Sequence, residues 1–152
     1  MIITIRPATL ADASKITEFN ALMANETEGI DLDMVRLHAG VESVLRDSSK
    51  GIYYVAEENG FVVGQTLITY EWSDWRNGMF WWIQSVYVQK DVRGKGVFKA
   101  LFDHVGKLAK QEKTVCGLRL YVEKHNDRAQ QTYERLGMKK THYEMFELDF
   151  VM

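Results

Sequence analysis

The 152-residue chain has one cysteine, one proline and no long apolar run. The lone thiol, Cys116, excludes an intramolecular disulfide and suits a reducing compartment. With Pro7 as its only proline, the chain offers no Pro-rich linker, and it carries no repeat or low-complexity segment. A single domain over residues 1–152 is therefore expected. No stretch approaches the ~20 apolar residues of a membrane span. The opening Met-Ile-Ile-Thr-Ile-Arg has no basic region ahead of an apolar run, so no secretory signal is expected. Nineteen Lys and Arg against 21 Asp and Glu leave a net charge of −2, which gives no bulk attraction to nucleic acid. These absences predict a cytoplasmic protein with neither a membrane nor a nucleic-acid partner. His38, His104 and His142 have no metal-ligand spacing, so no metal is expected.

What is present is an alternation of elements. The β-branched run Ile2–Arg6 ends at Pro7. Thr9 precedes a helical pattern, with Asp12 three residues on as in a capping box. A second helix is predicted after Asp31 or Asp33. Ile52–Ala56 and Phe61–Trp72 flank Asn59-Gly60, a strong hairpin signal. Phe80–Val88 is apolar on both alternating faces, as a central covered strand is. Phe98, Leu101, Phe102, Val105, Leu108 and Ala109 make one helical stripe. Leu118–Val122 alternates as a strand, Asn126 can cap a helix through Leu136, and Tyr143–Phe150 is predicted as a last strand. The order is β-α-α-β-β-β-α-β-α-β.

The most informative stretch is Ser85-Val86-Tyr87-Val88-Gln89-Lys90-Asp91-Val92-Arg93-Gly94-Lys95-Gly96-Val97-Phe98-Lys99: a buried strand, a polar connection, then glycines opening a helix. Amides at a helix start bind anions, and glycines let backbone approach a phosphate. Arg93, Lys95 and Lys99 add positive charge, and a pyrophosphate is the natural ligand. The alternative is a tight turn before a surface helix. A Walker loop needs Gly-Lys-Ser/Thr, and a dinucleotide loop needs a third glycine early in a βαβ unit; neither fits.

This segment resembles the Arg/Gln-x-x-Gly-x-Gly/Ala signature of GNAT acetyltransferases through Arg93 and Gly96, with Phe98 at the usual small sixth position. Downstream, Asn126, Ala129, Tyr133 and Gly137-Met138 resemble the family's Asn-x-x-Ala-x-x-x-Tyr-x-x-x-Gly-Phe segment. With Arg6-Pro7-Ala8-Thr9 and Asp12, the resemblance spans nearly the whole chain.

The resemblance implies the α/β (α+β) GNAT fold: a mixed, mostly antiparallel sheet of six to seven strands flanked by about four helices. It implies an N-acetyltransferase moving an acetyl group from acetyl-CoA to a primary amine by direct attack in a ternary complex. Val86, Tyr87 and Val88 would hold pantetheine and polarise the thioester. Arg93, Gly94, Lys95, Gly96, Val97, Phe98 and Lys99 would take the pyrophosphate. Asn126 and Ala129 complete the cofactor side, and Tyr133 would be the acid toward the departing sulfur. Some members carry a glutamate base where this chain has Tyr121. Glu123, on the same strand face, is the candidate acting through water. Glu26, Glu28, Trp81 and Tyr121 are expected in an acceptor pocket. The tryptophans Trp72, Trp75, Trp81 and Trp82, with neighbouring acids, suit a small cationic amine. The alternatives are protein, peptide or aminoacyl-tRNA acetylation, or an acyl-CoA-binding sensor without turnover. A homodimer is expected from the family.

Overall fold

The computed structural model describes residues 1–152, which form two compact units, Met1–Leu120 and Tyr121–Met152. The larger unit is a five-stranded sheet in the order β1-β2-β3-β4-β5. Strands β1 (Thr4–Pro7), β2 (Ile52–Glu58), β3 (Phe61–Ser73) and β4 (Gly78–Val88) are antiparallel neighbours, and β5 (Val115–Arg119) runs parallel to β4.

Helices cover both faces, as amphipathic stripes require. Helix α1 (Ala13–Glu28) and α2 (Met34–Arg46) lie on one face, where Ile16 and Val41 pack with Tyr53 and Val55. Helix α3 (Val97–Gln111) lies on the other, where Val97, Leu101 and Val105 pack with Tyr54, Ile68 and Ile83. Local signals start these helices where expected. Thr9 and Asp12 form a capping box over a short 3-10 turn, and Asp33 accepts from the amides of Val35 and Arg36. Arg6 donates to both oxygens of the buried Asp12, at 2.8 and 2.9 Å, and to Glu57 at 2.6 Å. One guanidinium thus ties β1, the start of α1 and β2 together.

The smaller unit centres on helix α4 (Asp127–Arg135), capped by Asn126, whose side-chain oxygen accepts from the Ala129 amide at 3.1 Å. Its end is a Schellman motif: Met138 N–H donates to Tyr133 O and Gly137 N–H to Glu134 O, with Gly137 at φ 93°.

Two strand expectations need correction. The strand predicted at Leu118–Val122 is Val115–Arg119. Gly117 belongs in it for a tertiary reason: a Cβ there would stand 2.7 Å from the Phe80 ring. The strand predicted at Tyr143–Phe150 does not form, and Phe146, Leu148 and Phe150 are exposed. Alternation supplies the two faces of a strand but not the hydrogen-bond partner. The sheet therefore has five strands rather than six or seven.

Candidate functional site

Strand β4 and the loop after it carry the first group of candidate residues. Ser85 and Val86 together oppose the single residue Thr66, because the β3–β4 register steps from Gln65↔Tyr87 to Leu67↔Gln84. Ser85 sits at φ 50°, rare for a residue with a side chain. One extra residue reverses every side chain beyond it. Tyr87 therefore turns toward α1, its ring 4.9 Å from that of Phe19, while Val86 and Val88 pack on the α3 side.

Beyond Val88, a 3-10 turn over Lys90–Val92 leads into Arg93 and the glycines. Gly94 and Gly96 have φ of 78° and 85°, and nothing lies within 4 Å of where their Cβ atoms would be. Conformation and not crowding calls for glycine here, and the space a Cβ would fill is open to a ligand. Gly96 caps α3 with no side chain to satisfy the first-turn amides. Such an N-terminus suits an anion such as a pyrophosphate. The Phe98 ring packs toward Phe102 one turn along the helix, centroids 6.1 Å apart, which accounts for bulk at the sixth motif position.

The predicted cations divide. The Arg93 Nε donates to the Val88 carbonyl at 2.8 Å, and its terminal nitrogen reaches both Glu26 oxygens at 3.2 and 3.3 Å. Its guanidinium also lies 5.1 Å from the centre of the Tyr87 ring. Lys99 pairs with Asp103 at 2.6 Å. Lys95 is exposed at the loop and makes no ion pair. Arg93 is thus a clamp on the loop. Glu26 is drawn in with it: the hydrogen bond from Tyr87, ahead of Arg93, holds its carboxylate below the usual range. Burial, reinforced by Glu26, pushes the Tyr87 phenol up. A carboxylate stabilised in its charged form is a poor proton acceptor.

The smaller unit carries the other candidates. Asn126 and Ala129 share the capping bond of α4, and Tyr133 lies two turns from the cap on the same helix. Burial raises the Tyr133 phenol above its ordinary value, so it stays neutral throughout the physiological range. Glu123 Oε2 accepts from the His125 amide at 2.7 Å, bracing the turn before α4. Tyr121 is 59% exposed.

The acceptor residues are dispersed. Glu28 is exposed at the end of α1. Trp81 packs on the α3 side of the sheet and lines a groove of 430 Å³ with Tyr54 and Tyr70. Adjacent Trp82 turns the other way and donates to Glu71 at 2.9 Å, an oxygen that Arg119 also engages at 2.9 Å. Trp72 and Trp75 are exposed near the β3–β4 turn. No aromatic box forms from the four. Sequence reasoning missed Ser85, Gln65 and Tyr53, which support the kink in β4. The one local hint is the polar pair Gln84-Ser85 within an apolar strand.

Comparison with known proteins identifies the family. The model of the acetyltransferase (GNAT) family matches residues 19–138, and the chain belongs to that family, which makes it an acyltransferase domain. It is 31% identical over 108 residues to a mycothiol acetyltransferase from Corynebacterium aurimucosum, spanning 69% of this chain and 35% of that protein. A possible acetyltransferase from Clostridium difficile 630 shares 46% identity over the full length of both chains, with a TM-score of 0.92. At 20% identity, a predicted acetyltransferase with acetyl-CoA from Clostridium acetobutylicum has the same fold, with a TM-score of 0.78 over 99% of this chain and 97% of that one. GNAT acetyltransferases use acetyl-CoA as acyl donor, and no helix here is long and apolar enough to cross a membrane.

Proposed function

We propose that residues 1–152 act as one N-acetyltransferase domain, moving the acetyl group of acetyl-CoA to a primary amine by direct attack in a ternary complex. The observation that carries this reading is the Gly94–Gly96 cradle opening α3 one short turn after a kinked strand. Bound acetyl-CoA supplies an activated thioester carbonyl and a thiolate leaving group. The loop Arg93–Lys99 holds the pyrophosphate through first-turn amides and Lys95. The backbone of Val86–Val88 holds the pantetheine arm and polarises the carbonyl. Asn126 and Ala129 support the arm, and Tyr133 donates a proton to the departing sulfur. Glu123, acting through water, is the proposed route for the amine's proton. Direct attack is preferred to an acyl-cysteine route because Cys116 is exposed on β5 beside Gly78, at the start of β4, whereas the glycine loop follows the end of that strand.

The proposed acceptor is a small-molecule amine, drawn by exposed carboxylates at Glu28 and Asp31 around the end of α1. The relative named for mycothiol supports a small molecule. One observation favours a second reading, acetylation of a protein or peptide: Trp72 and Trp75 are 56% and 85% exposed near one hairpin turn, a surface suited to a larger acceptor. A cytoplasmic homodimer is proposed on family grounds.

Calorimetric titration with acetyl-CoA, followed by an amine panel scored for CoA thiol release, tests the reading. Saturable binding with amine-dependent release supports it, and absence of binding overturns it. Binding without release on any small amine or peptide points to a sensor. The loop residues separate further. Arg93→Met removes the clamp and is expected to weaken acetyl-CoA binding about tenfold, whereas Lys99→Met, whose charge Asp103 already engages, is expected to change it by less than about threefold.

A further inference from the structure

The kink in β4 is held from neighbouring elements by a buried polar network. An extra residue in one strand interrupts the ladder and leaves backbone groups to be satisfied otherwise. Here side chains of β3 take up two successive carbonyls. The Thr66 hydroxyl donates to Gln84 O at 3.2 Å, and Gln65 Nε2 donates to Ser85 O at 3.1 Å. On the α1 side, the Tyr53 hydroxyl accepts from Asn20 Nδ2 at 3.1 Å and lies beside the Ser85 side chain, whose influence lowers the phenol against the larger effect of burial. Asn20 in turn donates to Ile16 O at 3.1 Å, anchoring the network in α1.

Gln65 is the costly member. Its residue is 0% exposed, and its Oε1 has no hydrogen-bond partner. An unsatisfied buried polar atom costs on the order of 1–3 kcal/mol, and an apolar side chain of similar shape avoids that cost. A fold keeps such a residue where its one good bond fixes something that matters. That bond ends on the carbonyl of Ser85, the residue at φ 50° immediately before Val86.

We infer that Gln65, backed by Tyr53, is a positioning residue for acyl transfer: by fixing the Ser85 carbonyl it aims the backbone of Val86–Val88 at the thioester carbonyl. The inference rests on the proposed cofactor role of that strand. Its mechanism is geometric, since carbonyl polarisation depends on donors already being aimed at the reacting oxygen.

The test is infrared spectroscopy of bound acetyl-CoA labelled with ¹³C at its acetyl carbonyl, for wild type, Gln65→Met and Tyr53→Phe, alongside calorimetry and thermal unfolding. Wild type is expected to shift the carbonyl band to lower frequency. Folded Gln65→Met is expected to bind acetyl-CoA within about threefold of wild type while the band returns more than halfway to its free position. Tyr53→Phe is expected to move the band the same way, by less. A folded Gln65→Met protein with the wild-type band overturns the inference. If that variant does not fold, an unchanged band in Tyr53→Phe overturns it. Wild type that binds without a shift, or does not bind, overturns the underlying cofactor reading and this inference with it.

Discussion

Replacing Tyr133 with phenylalanine is expected to lower kcat for thiol release by about 10²–10³-fold and to leave acetyl-CoA affinity within about threefold, because one positioned proton donor contributes on that scale. The ring's packing is kept and only the hydroxyl goes. Three features make the hydroxyl the group to test. It stands on α4, whose start is fixed by the Asn126–Ala129 bond and whose end is fixed by the Met138–Tyr133 Schellman bond. Burial raises its phenol, so the acidic form persists across the neutral range. An acid with a raised value shows its loss as a fall in kcat only on the alkaline side. The wild-type profile should therefore have an alkaline limb that Tyr133→Phe lacks. Equal turnover in the two proteins, with equal binding, would remove Tyr133 from the proposed chemistry.

The second large effect is on stability. Asp12→Ala is expected to cost about 2–3 kcal/mol, the lower end for breaking a buried ion pair because Arg6 is partly solvated. It removes both bonds to Arg6 and the bond that Asp12 accepts from the Thr9 amide at 2.8 Å. For a chain of this size the melting temperature should fall by about 5–10 °C. Acidity supplies an independent signature. Arg6 holds the Asp12 carboxyl below its ordinary value, so its contribution is fully present above the ordinary carboxylate range and is lost as pH falls through the depressed value. Denaturant titrations between neutral and acid pH should therefore show wild-type stability declining more steeply than that of Asp12→Ala. Parallel curves would mean that the ion pair contributes nothing to folding.

What could be read from sequence was what is encoded locally. Asp33, Asn126 and the Thr9–Asp12 box lie within three residues of the amides they cap, and Asn59-Gly60 sets its hairpin by its own backbone preferences. The glycine loop was legible for the same reason: its conformation depends on Gly94 and Gly96 themselves. What escaped depends on distant partners. The role of Arg93 is decided by Glu26, 67 positions away. The tryptophans adjoin in sequence, yet β alternation sends Trp81 and Trp82 to opposite faces. The kink at Ser85 is a property of the β3–β4 register, and no pattern within β4 alone specifies it. The last predicted strand had the alternation but not the partner.

Strand β1 has a consequence for how chains behave when concentrated. It is the sheet's outermost strand on one side, only four residues long, and it ends at Pro7, which has no amide hydrogen to offer a neighbour. Its Arg6 is already bound inward to Asp12 and Glu57. A short border terminated by proline is a poor template for adding a foreign strand. On that flank, the sheet resists being extended into a continuous ribbon through a second molecule.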